Sequence, residues 1–456
     1  MSVLQSGVNN AQPDELFNFT NGIGVDRRLA KQEVAVQKAW LSGLAGLGYF
    51  AADEVKAIGA TLDEAVASIA AGTFVWNVRD EDIHMHLERY VTERHGELGK
   101  KMHVGRSRND LIATTLRLYM ADETARVSAD VATLVQALVA KAETLVDVLI
   151  PGMTHLQHGQ PVRFAHVLLA HAQAFQRDIA SLNAARTTAL AEMPQGAAAL
   201  AGTPLPMDLS AMAKQLGFAA PAANSYDAVG NRDFMLQALS ALAQLGVHLG
   251  RLAEDAMYWS ATPVGLIKLP PRWSTGSSIM PNKRNPDVPE LTRAHSAHMI
   301  GAQADGYMLM RTVPTSYGSD LHELKGVIMR SLDCATACLS VWPGFVIEMD
   351  VNPQRADDIL HQGHILATEL ADALAAEGVP FRDAYKIVAA WVKDADVQGV
   401  QVHQLPLETM NKAITELGHK PMQGFETSFE KAVERRSQPG GTARARVLEQ
   451  LAALKN

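Results

Sequence analysis

From Arg108 to Ile150 the chain runs for its longest stretch without a Gly or a Pro. Within it Leu116, Met120, Val127, Val131, Leu134, Leu138, Leu145 and Leu149 recur at spacings of three, four or seven. That stripe needs an apolar partner along its whole length. At about 1.5 Å per residue such a helix approaches about 60 Å, far beyond an ordinary globular helix. Pro151 and Gly152 are expected to end it. Four more long patterns follow, at roughly 160–191, 227–261, 287–312 and 320–345. Five long helices in succession predict a mainly α protein built on an elongated bundle. Bundles of this kind bury a second stripe against partner subunits, so a symmetric oligomer is expected.

Shorter helical patterns flank the bundle. Those before it are expected to break at Gly43, Gly46, Gly59 and Gly72, and the charged run Arg79 to Glu97 reads as a solvated helix face. Those after it are separated at Gly363, Gly378-Val379-Pro380 and Pro439-Gly440-Gly441. Three domains are therefore expected: an N-terminal helical domain over 1–105, the central bundle over 106–352 and a small helical domain over 353–456. Residues 1–12 are polar and expected to be loosely held.

Composition removes several classes of function. The formal charge of −8 over 456 residues argues against a nucleic-acid partner, which needs a basic face. No apolar run reaches the roughly 18–20 residues of a membrane span, and the N-terminus lacks the basic and apolar segments of a secretory signal. A cytoplasmic protein without a membrane partner is expected. Cys334 and Cys338, four apart, read as two small buried thiols on one helix face. His84 and His86 diverge by about 200° on a helix, so they are not read as metal ligands. No dinucleotide, P-loop or CxxC fingerprint is present, and neither cofactor nor metal is expected.

The informative residues lie where long helices are interrupted. Ser274 to Asp287 reads STGSSIMPNKRNPD. Gly276, Pro281 and Pro286 forbid a continuous helix, Ser277 and Ser278 follow the glycine directly, and Lys283 and Arg284 supply charge. Asn285 is expected to cap a helix opening at Pro286. Gly105-Arg106-Ser107-Arg108-Asn109-Asp110 opens the longest helix, where two guanidinium forks suit a carboxylate or phosphate, or else serve as capping and surface charge. Thr154-His155-Leu156-Gln157 sits in a second break, and His155 is a candidate for proton transfer near neutral pH. Asn224-Ser225-Tyr226-Asp227, leading to Arg232, forms a third. Tyr317, His322 and Lys325 belong to a weaker one.

GSSIMPNKRNP resembles the signature of the fumarase/aspartase superfamily. EDIHMHLE with HVGRSRND, then PGMTHLQHGQPV, then NSYDAVGNRDF resemble, in this order, the argininosuccinate lyase family over nearly the whole chain. The resemblance implies a three-domain, mainly α fold and a homotetramer whose active sites are shared between subunits. It implies a small N-succinyl substrate that releases fumarate by β-elimination, argininosuccinate giving arginine. Carried over residue by residue, it makes Ser277 the base and lets Lys283 and Asn285 stabilise the anion, with Ser278 beside them. Arg108, Asn109, Thr154, Gln157 and Arg232 would hold the substrate. His155 would orient it or move the second proton, and Tyr317, His322 and Lys325 would make further contacts. The family's N-terminal Trp-Gly-Gly-Arg-Phe stretch is missing and its PLGSGALAG loop has become Pro194 to Gly202, PQGAAALAG. Three single positions also depart from the family pattern: Gly22 stands where a serine is usual, His158 where an arginine is, and His322 where a glutamine is. They leave open another N-succinyl amine as substrate. An adenylosuccinate lyase-like enzyme and an inactive structural homologue are the remaining alternatives.

Overall fold

The structure is a computed structural model that describes residues 13–77 and 79–455; the expectation for residues 1–12 falls outside them. Helices dominate, and the described strands form four two-stranded pairings. The five long helices are Arg108–Thr144, Phe164–Ala189, Asp233–Ser260, Asp287–Met310 and Leu321–Glu348. Leu116, Met120, Val127, Val131, Leu134 and Leu138 of the first are fully or almost fully buried, as the stripe requires. Its start is a reciprocal cap: Ser107 Oγ accepts from Asn109 N–H, and Asp110 Oδ1 accepts from Ser107 N–H. No described helix is long and apolar enough to cross a membrane.

Several expectations need correction. The first long helix stops at Thr144 and not at Pro151, because Leu149–Thr154 forms a strand against Gln157–Arg163. Gly43 and Gly59 lie inside helices Ala30–Gly46 and Ala52–Ala70. At Gly43 the missing side chain makes room for Met207 and Met212. The face read as solvated is partly core: Asp80, Asp82, His84 and His86 are buried. Asn285 belongs to a short strand paired with Thr275, and the next helix begins at Asp287. There the Asp287 carboxylate accepts from Thr275 N–H at 2.8 Å. Cys334 is partly and Cys338 fully buried, and neither forms a disulfide.

The chain gathers into two compact units. The first comprises residues 13–129, 178–247 and 295–337, and the second comprises 130–177, 248–294 and 338–455, as far as described. The first unit is centred on residues such as Met120, Leu242, Met299 and Ile328. The second contains Phe164 edge-on to Trp259 at 5.0 Å, and a separate cluster around Leu374, Ile387, Trp391 and Ile414.

Candidate active site

Arg108, Asn109, Arg232, Tyr317, His322 and Lys325 all fall in the first unit. Arg108 opens the longest helix, and its guanidinium reaches Asp82 at 2.9 Å and Glu81 at 3.3 Å. Burial works against its charge, but the two carboxylates outweigh burial and raise its pKa. Asn109 donates to the Ala199 carbonyl at 3.1 Å, and Asp110 Oδ2 accepts from Gly196 and Ala198 N–H. The 194–202 loop is thereby tied to the helix start. Burial still lifts the Asp110 carboxyl to about 6, against those N–H bonds.

Lys325 is buried and lies 2.5 Å from Asp26. Burial raises the Asp26 pKa and Lys325 opposes it. The second Asp26 oxygen is buried without a partner, beside Gly22. His84 pairs with the buried Glu33 at 2.7 Å; burial opposes its charge, yet Glu33 and Asp82 raise its pKa above the ordinary value. Tyr317 Oη is bonded directly to His322 Nε2. Burial, with Lys325 and Arg108 nearby, pushes His322 down to about 4, so its imidazole is neutral. A neutral Nε2 without a proton can accept from the Tyr317 hydroxyl. Arg232 is buried and donates to the Val229 and Asn231 carbonyls, its Nε left without a partner. Burial depresses it to about 10. Among the described residues no carboxylate pairs with it, so its charge is available to an anion. Gly230 lets the chain approach Ser316 so closely that a Cβ there would overlap the Ser316 carbonyl. That contact seats Tyr317 in the loop beside Arg232.

The other candidates fall in the second unit. Thr154, His155 and Gln157 sit at the exposed tip of the hairpin, where Thr154 pairs with Gln157. His155 and Leu156 form its two-residue turn with φ of 56° and 58°, the primed turn that matches strand twist. Two consecutive non-glycine residues hold a left-handed backbone there, a strained conformation for L-residues. Ser277, Ser278, Lys283 and Asn285 share the exposed loop between the long helices. Trp273 packs so tightly on Gly344 that no side chain would fit at Gly344, which anchors the loop at its start. Strands Thr275–Gly276 and Arg284–Asn285 close its base. Beyond the base, Ser277 Oγ accepts from Ile279 N–H at 3.3 Å and Met280 N–H at 3.1 Å. Such donors favour an oxygen that becomes negative.

Sequence reasoning missed Asp26, Glu33 and Gly230, which carry no motif of their own. Of the three departures, Gly22 and His322 fall beside Lys325, whereas His158 lies in the second unit against Gln362 and Gly363.

A family model described as lyase matches residues 8–301, and one described as argininosuccinate lyase C-terminal matches residues 364–435. The chain is 41% identical to an argininosuccinate lyase of Frankia casuarinae, over 97% of this chain and 95% of that one. It is 38% identical to an argininosuccinate lyase of Desulfatibacillum aliphaticivorans, over 95% and 93%. The chain belongs to the argininosuccinate lyase family. Among solved structures, EDDS lyase in complex with formate superposes with a TM-score of 0.83 at 23% identity, covering 94% of this chain and 86% of that one. A fumarate lyase:delta crystallin from Brucella melitensis bound to cobalt gives 0.73 at 19%, covering 100% and 95%. Both share the fold. Membership of the argininosuccinate lyase family thus agrees with the mainly α architecture and with the order of the four sequence motifs.

Proposed function

We propose that this chain cleaves argininosuccinate reversibly to arginine and fumarate. The observation that carries the reading is 41% identity to an argininosuccinate lyase over 97% of the chain. Elimination requires a base to take a proton from the carbon beside a carboxylate. The C–H electron pair first charges that carboxylate as an aci-anion, then forms the C=C bond as the C–N bond breaks and nitrogen leaves with its electrons. In this reading Ser277 Oγ is the base, helped by the N–H groups of Ile279 and Met280 that point at it. Lys283 and Asn285 supply charge and hydrogen bonds to the aci-anion, with Ser278 adjacent. Arg108, Asn109, Thr154, Gln157 and Arg232 hold the succinyl carboxylates. His155 orients the reacting groups or moves the second proton, while Tyr317, His322 and Lys325 face the leaving amine. No cofactor takes part.

We further read the enzyme as a cytoplasmic homotetramer in three segments, 1–105, 106–352 and 353–456, with sites shared between subunits. One helix supports the association. Asp287–Met310 buries Thr292, Ser296 and Met299 but exposes Leu291, Ala294, Ala297, Gly301, Ala304 and Met308 on its opposite face. An apolar stripe of that length on an outer face suits a partner helix.

A second reading keeps the chemistry and changes the amine. Gly22 and His322 together alter the surroundings of Lys325 and Tyr317, and a lost hydroxyl or an exchanged amide shifts selectivity strongly. A panel of N-succinyl amino acids and amines, with argininosuccinate and adenylosuccinate included and fumarate followed by ultraviolet absorbance, tests both readings. Fumarate from argininosuccinate fastest supports the first, and a faster rate with another substrate replaces it with the second. No fumarate from any of them overturns both.

A further inference from the structure

The hairpin that presents His155 is held at one side by a residue that has no part in the reaction as proposed above. The pairing of its strands shifts register between Gly152 and Met153: Met153 faces His158, while Gly152 faces Gln160. Gly159 is left as an unpaired bulge, and His158 is the last residue on the tip side of it. A bulge bends and loosens a ladder where it occurs. Only Met153 to His158 therefore lie beyond the loosened point, with a strained two-residue turn at their end.

The His158 side chain crosses from this tip to the turn at 361–364. Its Nδ1 lies 3.3 Å from the Gln362 carbonyl. A carbonyl only accepts, so Nδ1 carries the proton and donates. The ring rests on Gly363, where a Cβ would come within 3.5 Å of His158 Cβ. That turn is fixed in its own right. Gly363 and His364 have φ of 71° and 53°. The His364 backbone N–H donates to Gln401 Oε1 at 3.1 Å, and its Nδ1 accepts from Val402 N–H at 3.1 Å. Its Nε2 must then hold the proton, which it donates to Asp396 at 2.9 Å. The turn is thus clamped to the Phe381–Gln398 helix and the residues after it, and all these residues belong to the second unit.

We propose that His158 is a positioning residue: it ties the hairpin tip to the clamped 361–364 turn and so sets the place of His155. The inference rests on the reading of His155 as a residue of the reaction. His158 itself touches no reacting atom. Untied, the tip is free to swing about the bulge, and small misplacements of a reacting group slow the chemical step far more than binding.

The test compares His158→Ala, His158→Asn and His155→Ala in the full-length enzyme. Turnover of argininosuccinate and hydrogen–deuterium exchange over 149–163 are both measured. His158→Ala is expected to lower kcat by about 10- to 50-fold with KM within about twofold, and to speed exchange at 153–158 severalfold. His158→Asn, whose amide N–H can take the place of Nδ1–H, is expected to restore kcat to within about threefold and the exchange to that of the wild type. Unchanged exchange in His158→Ala overturns the proposal whatever the kinetics do. Equal loss of kcat in both variants also overturns it, because the imidazole itself would then be required. If His155→Ala is inactive while His158→Ala turns over like the wild type, the positioning role alone fails. If His155→Ala retains full activity, the reading of His155 fails instead.

Discussion

Two imidazoles in the first unit, the buried His84 and the half-buried His322, are shifted in opposite directions, and each has a consequence for stability. Burial, Lys325 and Arg108 push His322 down from 6.5 to about 4. Between those values the unfolded chain binds the proton and the folded chain does not, so stability is lost as pH falls through this window. His84 is raised above 6.5, with Glu33 and Asp82 outweighing its burial. Its contribution is complete below about 6.5 and is lost as pH rises through the folded value. Together the two groups favour a stability maximum near the ordinary imidazole value. His322→Gln is expected to flatten the acid side of a plot of melting temperature against pH between about 4 and 6.5. An acid slope equal to that of the wild type would contradict the His322 assignment. The sequence offered His322 only as a departure from the family pattern. Its neutrality follows first from burial by the folded chain, then from Lys325 one turn further along the helix and from Arg108, more than two hundred positions away, and local spacing does not reveal that combination.

The elements that carry the candidate residues show what local sequence could and could not specify. The long helices are legible because their apolar residues repeat over many turns and no Gly or Pro interrupts them. The stripe carries the first helix on to Ile150 because Leu149 and Ile150 stay in step with it, although they pair across to Arg163 and Val162. Tertiary pairing decided between two local options. The two-residue turn leads to a prediction. Leu156 is 71% exposed with φ of 58°, so Leu156→Gly relieves left-handed strain of about 1–2 kcal/mol and adds back roughly 0.5–1 kcal/mol of chain entropy. A net gain of about 0.5–1 kcal/mol is expected in denaturant unfolding, and a loss of stability would show that Leu156 makes a contact the turn depends on. Gly230 is the opposite case. A Cβ there would displace the Ser316 carbonyl, so Gly230→Ala should shift Tyr317 and raise KM for argininosuccinate by about tenfold or more. Unchanged kinetics would remove Tyr317 from the site.

For the whole molecule, the sequence motifs revealed the order of the candidate site's parts but not their supports. Arg163 is fully buried and donates to the Val146 carbonyl and to Glu430 and Glu434, tying the end of the hairpin to a helix more than 260 positions later. A buried guanidinium needs such partners, yet nothing near Arg163 in the chain names them. The exposed apolar face of Asp287–Met310 is the corresponding feature at the surface. A solution mass of four chains is expected from light scattering, and Leu291→Glu, which sets a charge in that stripe, is expected to lower it. A wild-type monomer would contradict the shared-site reading. That reading and the proposed chemistry meet at Ser277. The most direct test is fumarate production from argininosuccinate by the wild type and by Ser277→Ala, with oligomeric mass and helicity measured on the same samples. Rapid fumarate release by the wild type is expected. The variant is expected to keep its mass and helicity while its kcat falls by about a thousandfold or more. A Ser277→Ala enzyme that turns over like the wild type would contradict the proposed chemistry.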